Sequence, residues 1–398
     1  MKLFSSGRPA NGVPAVAVVG LALLGVAGPP GMAPCLGAQD VEQWTVEAPP
    51  DLVIGEAEGD EAYLFMNVLD ATTLSDGRVA IVEFYRGFFE VRWFDPQGRH
   101  MASAGRWGPG PFEFRSTPSA VTRLAGDSLF IVSRAFRFAV FGPRGRPGRS
   151  GRLPPIPAAR PLVLCSDGDL VLLGSRPATG REVRGRPTEY ETLFIAADTT
   201  SARADTFGII GSRGMIGENG AFLHLPFEPE AVWAAGPNTT WFGSAASRTV
   251  QGLHFDGRRL TAVVRKEPYA VTRESRRRWQ EFDLRSVSGE LESQYRRHHR
   301  SVEYPDTMPV LAGLLVDRGD RLWAELYEPP YSTKPFRFEV FSPDGAPLAE
   351  VSVPFALLGP TARYGPFSSI LEIGDDYLLV LRTDEWGVER VFRYRLSK

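Results

Sequence analysis

The residues of this chain that could do chemistry are five histidines, two cysteines and a scatter of carboxylates, amides and arginines. Their spacing excludes most reactions before any fold is considered. His100, His224, His254, His298 and His299 show no H-x-x-x-H or H-E-x-x-H interval, so no pair is set to chelate zinc. A serine triad lacks its G-x-S-x-G elbow, which "GSAAS" and "GSRG" do not supply. Glu83 and Glu113 are a candidate carboxylate pair for glycoside cleavage, a reaction whose course depends on their separation. Calcium needs six or more oxygen ligands. The chain has four asparagines, Asn11, Asn67, Asn219 and Asn238, of which Asn67 is well placed. Asn67, Asp70, Glu228 and Glu230 could supply an oxygen cluster, but Arg160 beside them would compete by pairing the carboxylates. The reading therefore assigns no catalytic residue, no metal ligand and no cofactor, with Ca²⁺ as the one ion the oxygen set would admit.

The elements that must position these groups repeat along the chain. In "NVLDATTLSDGRVAIVEFYRGFFEVRWFDPQGR", residues 67–99, apolar strands alternate with tight turns built on Asp and Gly. Further copies occupy residues 118–146, 160–177, 230–265, 312–353 and 368–396, the third with its turn at Asp167-Gly168. Each reads as a pair of hairpins, hence a four-stranded antiparallel sheet, and six such sheets set radially make an all-β, six-bladed β-propeller. Within "RVAIVEF", Val79, Ile81 and Glu83 share one face and Ala80, Val82 and Phe84 the other. Both faces are largely apolar, as a sheet packed between two neighbours requires. The last copy is one strand short, and "QWTVEAPPDLVIGEA" near the N-terminus is the strand expected to complete it and close the ring. A helical insertion is predicted at about 272–303, between the fourth and fifth blades. Thr272 is its N-cap and Trp279, Phe282, Val287, Leu291 and Tyr295 its apolar stripe, with a break at Gly289.

Composition sets the outer bounds. The 41 glycines and 33 prolines suit many short strands and turns. A net charge of −2 gives no case for nucleic acid. Lys2 and Arg8 precede the apolar run Val13 to Gly28, the layout of a secretory signal peptide over residues 1–38, followed by one domain over 39–398 with no membrane span. Pro34 before Cys35 is a poor lipidation signal, so export to periplasm or medium without a lipid anchor is expected. Cys165 then stands alone and reads as a small buried apolar side chain.

The stretch "GRWGPGPFEF", residues 105–114, lacks the strand, helix and G-K-[ST] of a phosphate loop. With its continuation "RSTPSAV", it resembles the crossing motif of NHL-type six-bladed propellers of exported bacterial proteins, and "FDPQG" and "FSPDG" resemble that family's outer turn. The match departs at one crossing position and at Gly142, where Asp is usual. The resemblance implies a propeller fold shared by proteins of many functions, so it carries no activity by itself. It makes "GRWGPGPFEF" the passage from one blade to the next, with Phe112 or Phe114 wedged between blades and Arg106 and Trp107 presented on the ligand face.

Propeller sites gather at the channel mouth. The candidates there are Asn67, Asp70, Arg106, Trp107, Arg115, Arg160, Glu228 and Glu230, with Tyr85, Arg86, Arg134, Arg137, Tyr327 and Tyr331 at loop tips. Aromatic and arginine side chains on one face are common at interfaces. The expected function is a monomeric, non-enzymatic binding or scaffold module for a protein, peptide or glycan. The alternative is a metal-dependent lactonase-like hydrolase or lyase using channel carboxylates. The turn "RGD", Arg318 to Asp320, is assigned a structural role alone.

Overall fold

The computed structural model of the chain describes residues 41–156, 159–164, 170–178, 187–199, 203–216, 222–223, 225–286, 288–355 and 367–398. The proposed signal segment with Cys35, Cys165, the turn at Asp167-Gly168, His224, Asn219 and Val287 lie outside the described residues, as do the side chains of Leu291 and His298.

Two short strands come first, β1 (Glu42–Val46) and β2 (Leu52–Ile54). The first sheet consists of β3 (Val68–Thr73), β4 (Val79–Tyr85), β5 (Phe88–Phe94) and β6 (His100–Ala104). A small parallel pair, β7 (Arg106–Trp107) with β8 (Glu113–Phe114), forms the crossing to the second sheet. That sheet holds β9 (Pro118–Arg123), β10 (Leu129–Ser133), β11 (Arg137–Phe141) and β12 (Pro147–Arg152). The third has β13 (Ala159–Leu164), β14 (Leu170–Pro177), β15 (Pro187–Ala197), β16 (Ala204–Ile216) and β17 (Phe222–Leu223). The fourth has β18 (Ala231–Ala235), β19 (Thr239–Ser244), β20 (Thr249–His254) and β21 (Arg259–Val263). Helices α1 (Arg273–Asp283) and α2 (Gly289–Ser301) follow. The fifth sheet holds β22 (Leu311–Val316), β23 (Leu322–Leu326), β24 (Phe336–Phe341) and β25 (Pro347–Val353), and the last β26 (Phe367–Ile373), β27 (Tyr377–Thr383) and β28 (Glu389–Ser397). The chain is thus all-β with few helices among the described residues, a run of mostly four-stranded antiparallel sheets, which is the architecture of a β-propeller.

The N-terminal strands tie the chain's ends together. β2 pairs antiparallel with β28, Val53 opposite Phe392, so the last sheet gains a fourth strand from the other end of the chain. β1 runs parallel to β25 and antiparallel to the end of β28, joining the fifth and last sheets into one ladder. Asp51 reinforces the seam with an ion pair to Arg393 at 3.0 Å.

The core lies between successive sheets. Val79 and Ile81 of β4 pack with Leu379, Leu381 and Val391 of the last sheet, while Ala80 and Val82 pack with Leu129, Ile131 and Phe141 of the second. Apolar layers of the same kind join second to third, fourth to fifth and fifth to last sheets. Between third and fourth, Phe194 stacks on Phe242 with ring centres 4.7 Å apart.

Buried carboxylates fasten the crossings. Glu83 on β4 accepts the Met66 N–H at 2.7 Å, Glu389 on β28 the Val68 N–H at 2.6 Å, and Glu339 on β24 the N–H groups of Arg265 and Lys266. Each supplies a partner for backbone donors that the strand ladders leave unpaired. In the crossing after the first sheet, Glu113 accepts the Gly110 N–H at 2.7 Å and pairs with Arg106. A Cβ at Gly108 or Gly110 would collide with this carboxylate, so both glycines make room for a side chain as well as for bends. Phe114 is buried against Phe89 at 4.7 Å, and Phe112 packs on Phe141 at 5.6 Å.

The turn carrying "RGD" is structural, as expected, and does more than reverse the chain. Arg318 donates to Glu372 of the last sheet at 2.7 Å and to Thr72 of the first at 3.0 Å. Asp320 accepts from the backbone and side chain of Asn238 at 2.9 and 2.6 Å. One hairpin thus laces the fifth sheet to three others.

Candidate ligand pocket on the loop face

Antiparallel order puts the crossings that precede β3 and β9, and the loop between β4 and β5, on one face. On that face, between the first and second sheets, an open, shallow depression of about 480 Å³ is lined by Asn67, Phe84, Tyr85, Arg86, Trp107, Arg115, Ser116 and Thr117. Its parts have separate local causes. Tyr85 and Phe88 face each other across the β4–β5 hairpin, whose tip holds Arg86 and the positive-φ Gly87. The parallel pairing of Trp107 with Phe114 holds the crossing in place, and the Trp107 ring rests 5.5 Å from that of Phe84. Asn67 donates its side-chain amide to the Phe84 carbonyl at 2.6 Å. Thr117 is fixed by its carbonyl, which accepts the Arg134 N–H at 3.1 Å.

Electrostatically the wall is positive. It contains two guanidinium groups, Arg86 and Arg115, both exposed, and no carboxylate. The nearby acids are committed elsewhere. Gly110 N–H and Arg106 hold Glu113 below the ordinary glutamate range, with Arg115 adding a smaller share. Glu83 is pushed upward by burial against the opposing effect of Met66 N–H and Arg92.

Of the residues nominated by sequence, Asn67, Tyr85, Arg86, Trp107 and Arg115 meet here, and the rest do not. Arg106 leans out from Glu113 with 80% of its side chain exposed and is absent from the wall. Arg134 lies beyond Thr117, near Arg160, whose pKa is lowered by burial and then by Arg134. The expected pairing of Arg160 with the glutamates is replaced by a cation–π contact with Trp233 at 5.8 Å. Glu228 lies 3.9 Å from Arg213, and burial raises its pKa. Glu230 is a half-buried residue whose carbonyl accepts the Ala245 N–H at 2.8 Å. Tyr331 lies under the Arg278 guanidinium of α1 at 4.5 Å, because the helices cover that part of the face. Trp279 anchors them against Phe227 and Tyr304. Among the described residues no three His, Cys, Asp or Glu side chains gather as a metal site, so the proposed oxygen cluster is not assembled. Glu83 and Glu113, the pair considered for glycoside cleavage, each serve a different crossing.

Asp70 lies on β3 just past an irregularity where the register shifts between Val68 and Asp70. It keeps partial solvent access yet is walled by protein, and burial, with Glu372 nearby, raises its pKa to about 8. Sequence reasoning missed two related groups. Glu325 on β23 reaches over Gly313 of β22, and burial raises its pKa to about 7. Lys266 is buried beside Glu328 at 3.8 Å, its pKa lowered by burial to about 8. Phe84, Ser116 and Thr117 were also missed in the pocket. Ser116 and Thr117 had a signal, since they directly precede the proline that starts β9.

A β-propeller with a cationic, aromatic pocket on its loop face is the class that the fold and site define. No protein-family model and no curated protein matches the chain. Among solved structures, a DUF4221 family member from Bacteroides vulgatus is similar at 10% identity, covering 90% of this chain and 99% of that one, with a TM-score of 0.45. Virginiamycin B lyase from Staphylococcus aureus is similar at 9% identity over 89% of this chain and 100% of its own, with a TM-score of 0.38. A regucalcin from Agrobacterium tumefaciens, described as calcium-binding, is 9% identical over 85% of this chain and 93% of its own, with a TM-score of 0.36.

Proposed function

We propose that this chain is an exported, NHL-type propeller of six blades that serves as a non-enzymatic binding module for a protein, peptide or glycan. The blade count is supported by the apolar layers, which with the Phe194–Phe242 stack between third and fourth sheets run from the first sheet round to the last and back to the first. Export is supported by the apolar N-terminal run behind Lys2 and Arg8. No helix among the described residues is long and apolar enough to cross a membrane.

The observation that carries the binding reading is the pocket itself. Two arginines, neither of them ion-paired to another described residue, stand beside exposed aromatic rings in an open depression of about 480 Å³, a volume suited to a small ligand or to a side-chain cluster of a larger one. The carboxylates nearest to it are spent on fastening crossings, which leaves binding as the task its groups can perform. The test is to screen glycan and peptide libraries against the wild type and an Arg86→Ala/Arg115→Ala variant. Capture lost in the variant, with ligand recovered chemically unchanged by mass spectrometry, is the expected result. Equal capture would place the site elsewhere, and conversion of the ligand would make the protein an enzyme.

A further inference from the structure

Resting on that binding reading, we propose that the pocket takes an acidic peptide segment with an apolar anchor, presented by a protein partner. Three features of the wall select this occupant.

The first is charge. Neither Arg86 nor Arg115 forms a hydrogen bond or ion pair with another described residue, whereas Arg92 and Arg106 close by are both paired. A carboxylate entering the recess meets planar donors already exposed, and it gains charge-assisted bonds without breaking an existing pair.

The second is apolar surface. Tyr85 and Trp107 are 41% and 39% exposed. Aromatic and arginine side chains together, with lysine and acids missing, are the composition of a protein-binding core. A leucine or aromatic peptide side chain covers both rings.

The third is the hydrogen-bonding set. Asn67 spends its amide N–H on the Phe84 carbonyl, which leaves its side-chain oxygen as an acceptor with no described donor. A peptide N–H matches it. Ser116 and Thr117 add hydroxyls that serve a peptide carbonyl equally well.

The test selects a displayed library of random peptides on the full chain at low and at physiological salt. Enriched sequences should combine Asp or Glu with a large apolar residue. Synthetic versions should bind more weakly as salt rises. Arg86→Ala/Arg115→Ala and Trp107→Ala should each weaken them by roughly tenfold or more, a loss expected of charge-assisted bonds and aromatic anchors. The two arginine side chains are exposed and unpaired among the described residues, so thermal unfolding of the double variant should match the wild type and separate lost binding from lost fold. Enriched peptides without acids, or equal binding to the double arginine variant, would overturn the proposal. Alginate or polygalacturonate bound through Arg86 and Arg115 while no peptide is enriched would overturn it too, yet leave the pocket as a binding site.

Discussion

Replacing Ile54 by alanine tests whether the N-terminal strand closes the last sheet or merely decorates it. β2 has three residues, and their exposure alternates: Leu52 and Ile54 face inward, and Val53 is 46% exposed. Ile54 is 1% exposed and belongs to the apolar layer formed by Val79, Ile81, Phe94, Leu379 and Val391, so it touches both the sheet it completes and the first sheet. If that layer is continuous, removing the isoleucine leaves a cavity in the interface, and the cost should be that of a core truncation, about 2–5 kcal/mol. Val53→Ala, one residue away on the same strand, should cost no more than about 0.5 kcal/mol, as surface changes do. Urea denaturation followed by tryptophan fluorescence gives both values, with the slope checked for constancy. Equal costs for the two substitutions would refute the reasoning, because a strand frayed from β28 would bury neither residue.

A chain beginning at Ala62 lacks β1 and β2 and should expose the edge of β28. Size-exclusion chromatography should show association and scanning calorimetry a lower unfolding temperature, and a monomer of unchanged stability would count against closure. Asp70 holds a proton in the folded state up to about pH 8, whereas an unfolded aspartate loses it near pH 3.8. Between those values the native state binds more protons, so this group's contribution to stability falls as pH rises through the window. Asp70→Asn should flatten the dependence of the urea midpoint on pH from about 4 to 8. A variant whose slope tracks the wild type would contradict the burial of Asp70. Chelator and added Ca²⁺ should leave the unfolding temperature unchanged, since the expected oxygen donors do not gather; a rise with Ca²⁺ would restore the metal reading.

Much of the architecture was legible along the chain because it is written at short range. The period-two pattern of "RVAIVEF" assigns Val79 and Ile81 to one neighbour and Ala80 and Val82 to the other, and the structure divides them that way. Thr272 caps α1 as its hydroxyl predicts, accepting the Ser275 N–H at 3.1 Å. Strand period, turn chemistry and caps depend on a few consecutive residues, so sequence alone determines them.

What only the tertiary structure decided is which distant groups meet. Asn67, Tyr85, Arg86, Trp107 and Arg115 share a pocket because the first sheet, its hairpin tip and its outgoing crossing supply them all. Arg160, Glu228, Glu230 and Tyr331 carry the same chemical promise, but they sit on other sheets with partners of their own or under α1. Arg318 looked sufficient as a turn residue, yet its long side chain reaches from the fifth sheet to Glu372 and Thr72. The glycines of "GRWGPGPFEF" looked like bends, and two of them also make space for Glu113. A side chain's partners are set by the rotation from one sheet to the next and by the reach of its rotamer, and neither quantity appears in the order of residues along the chain.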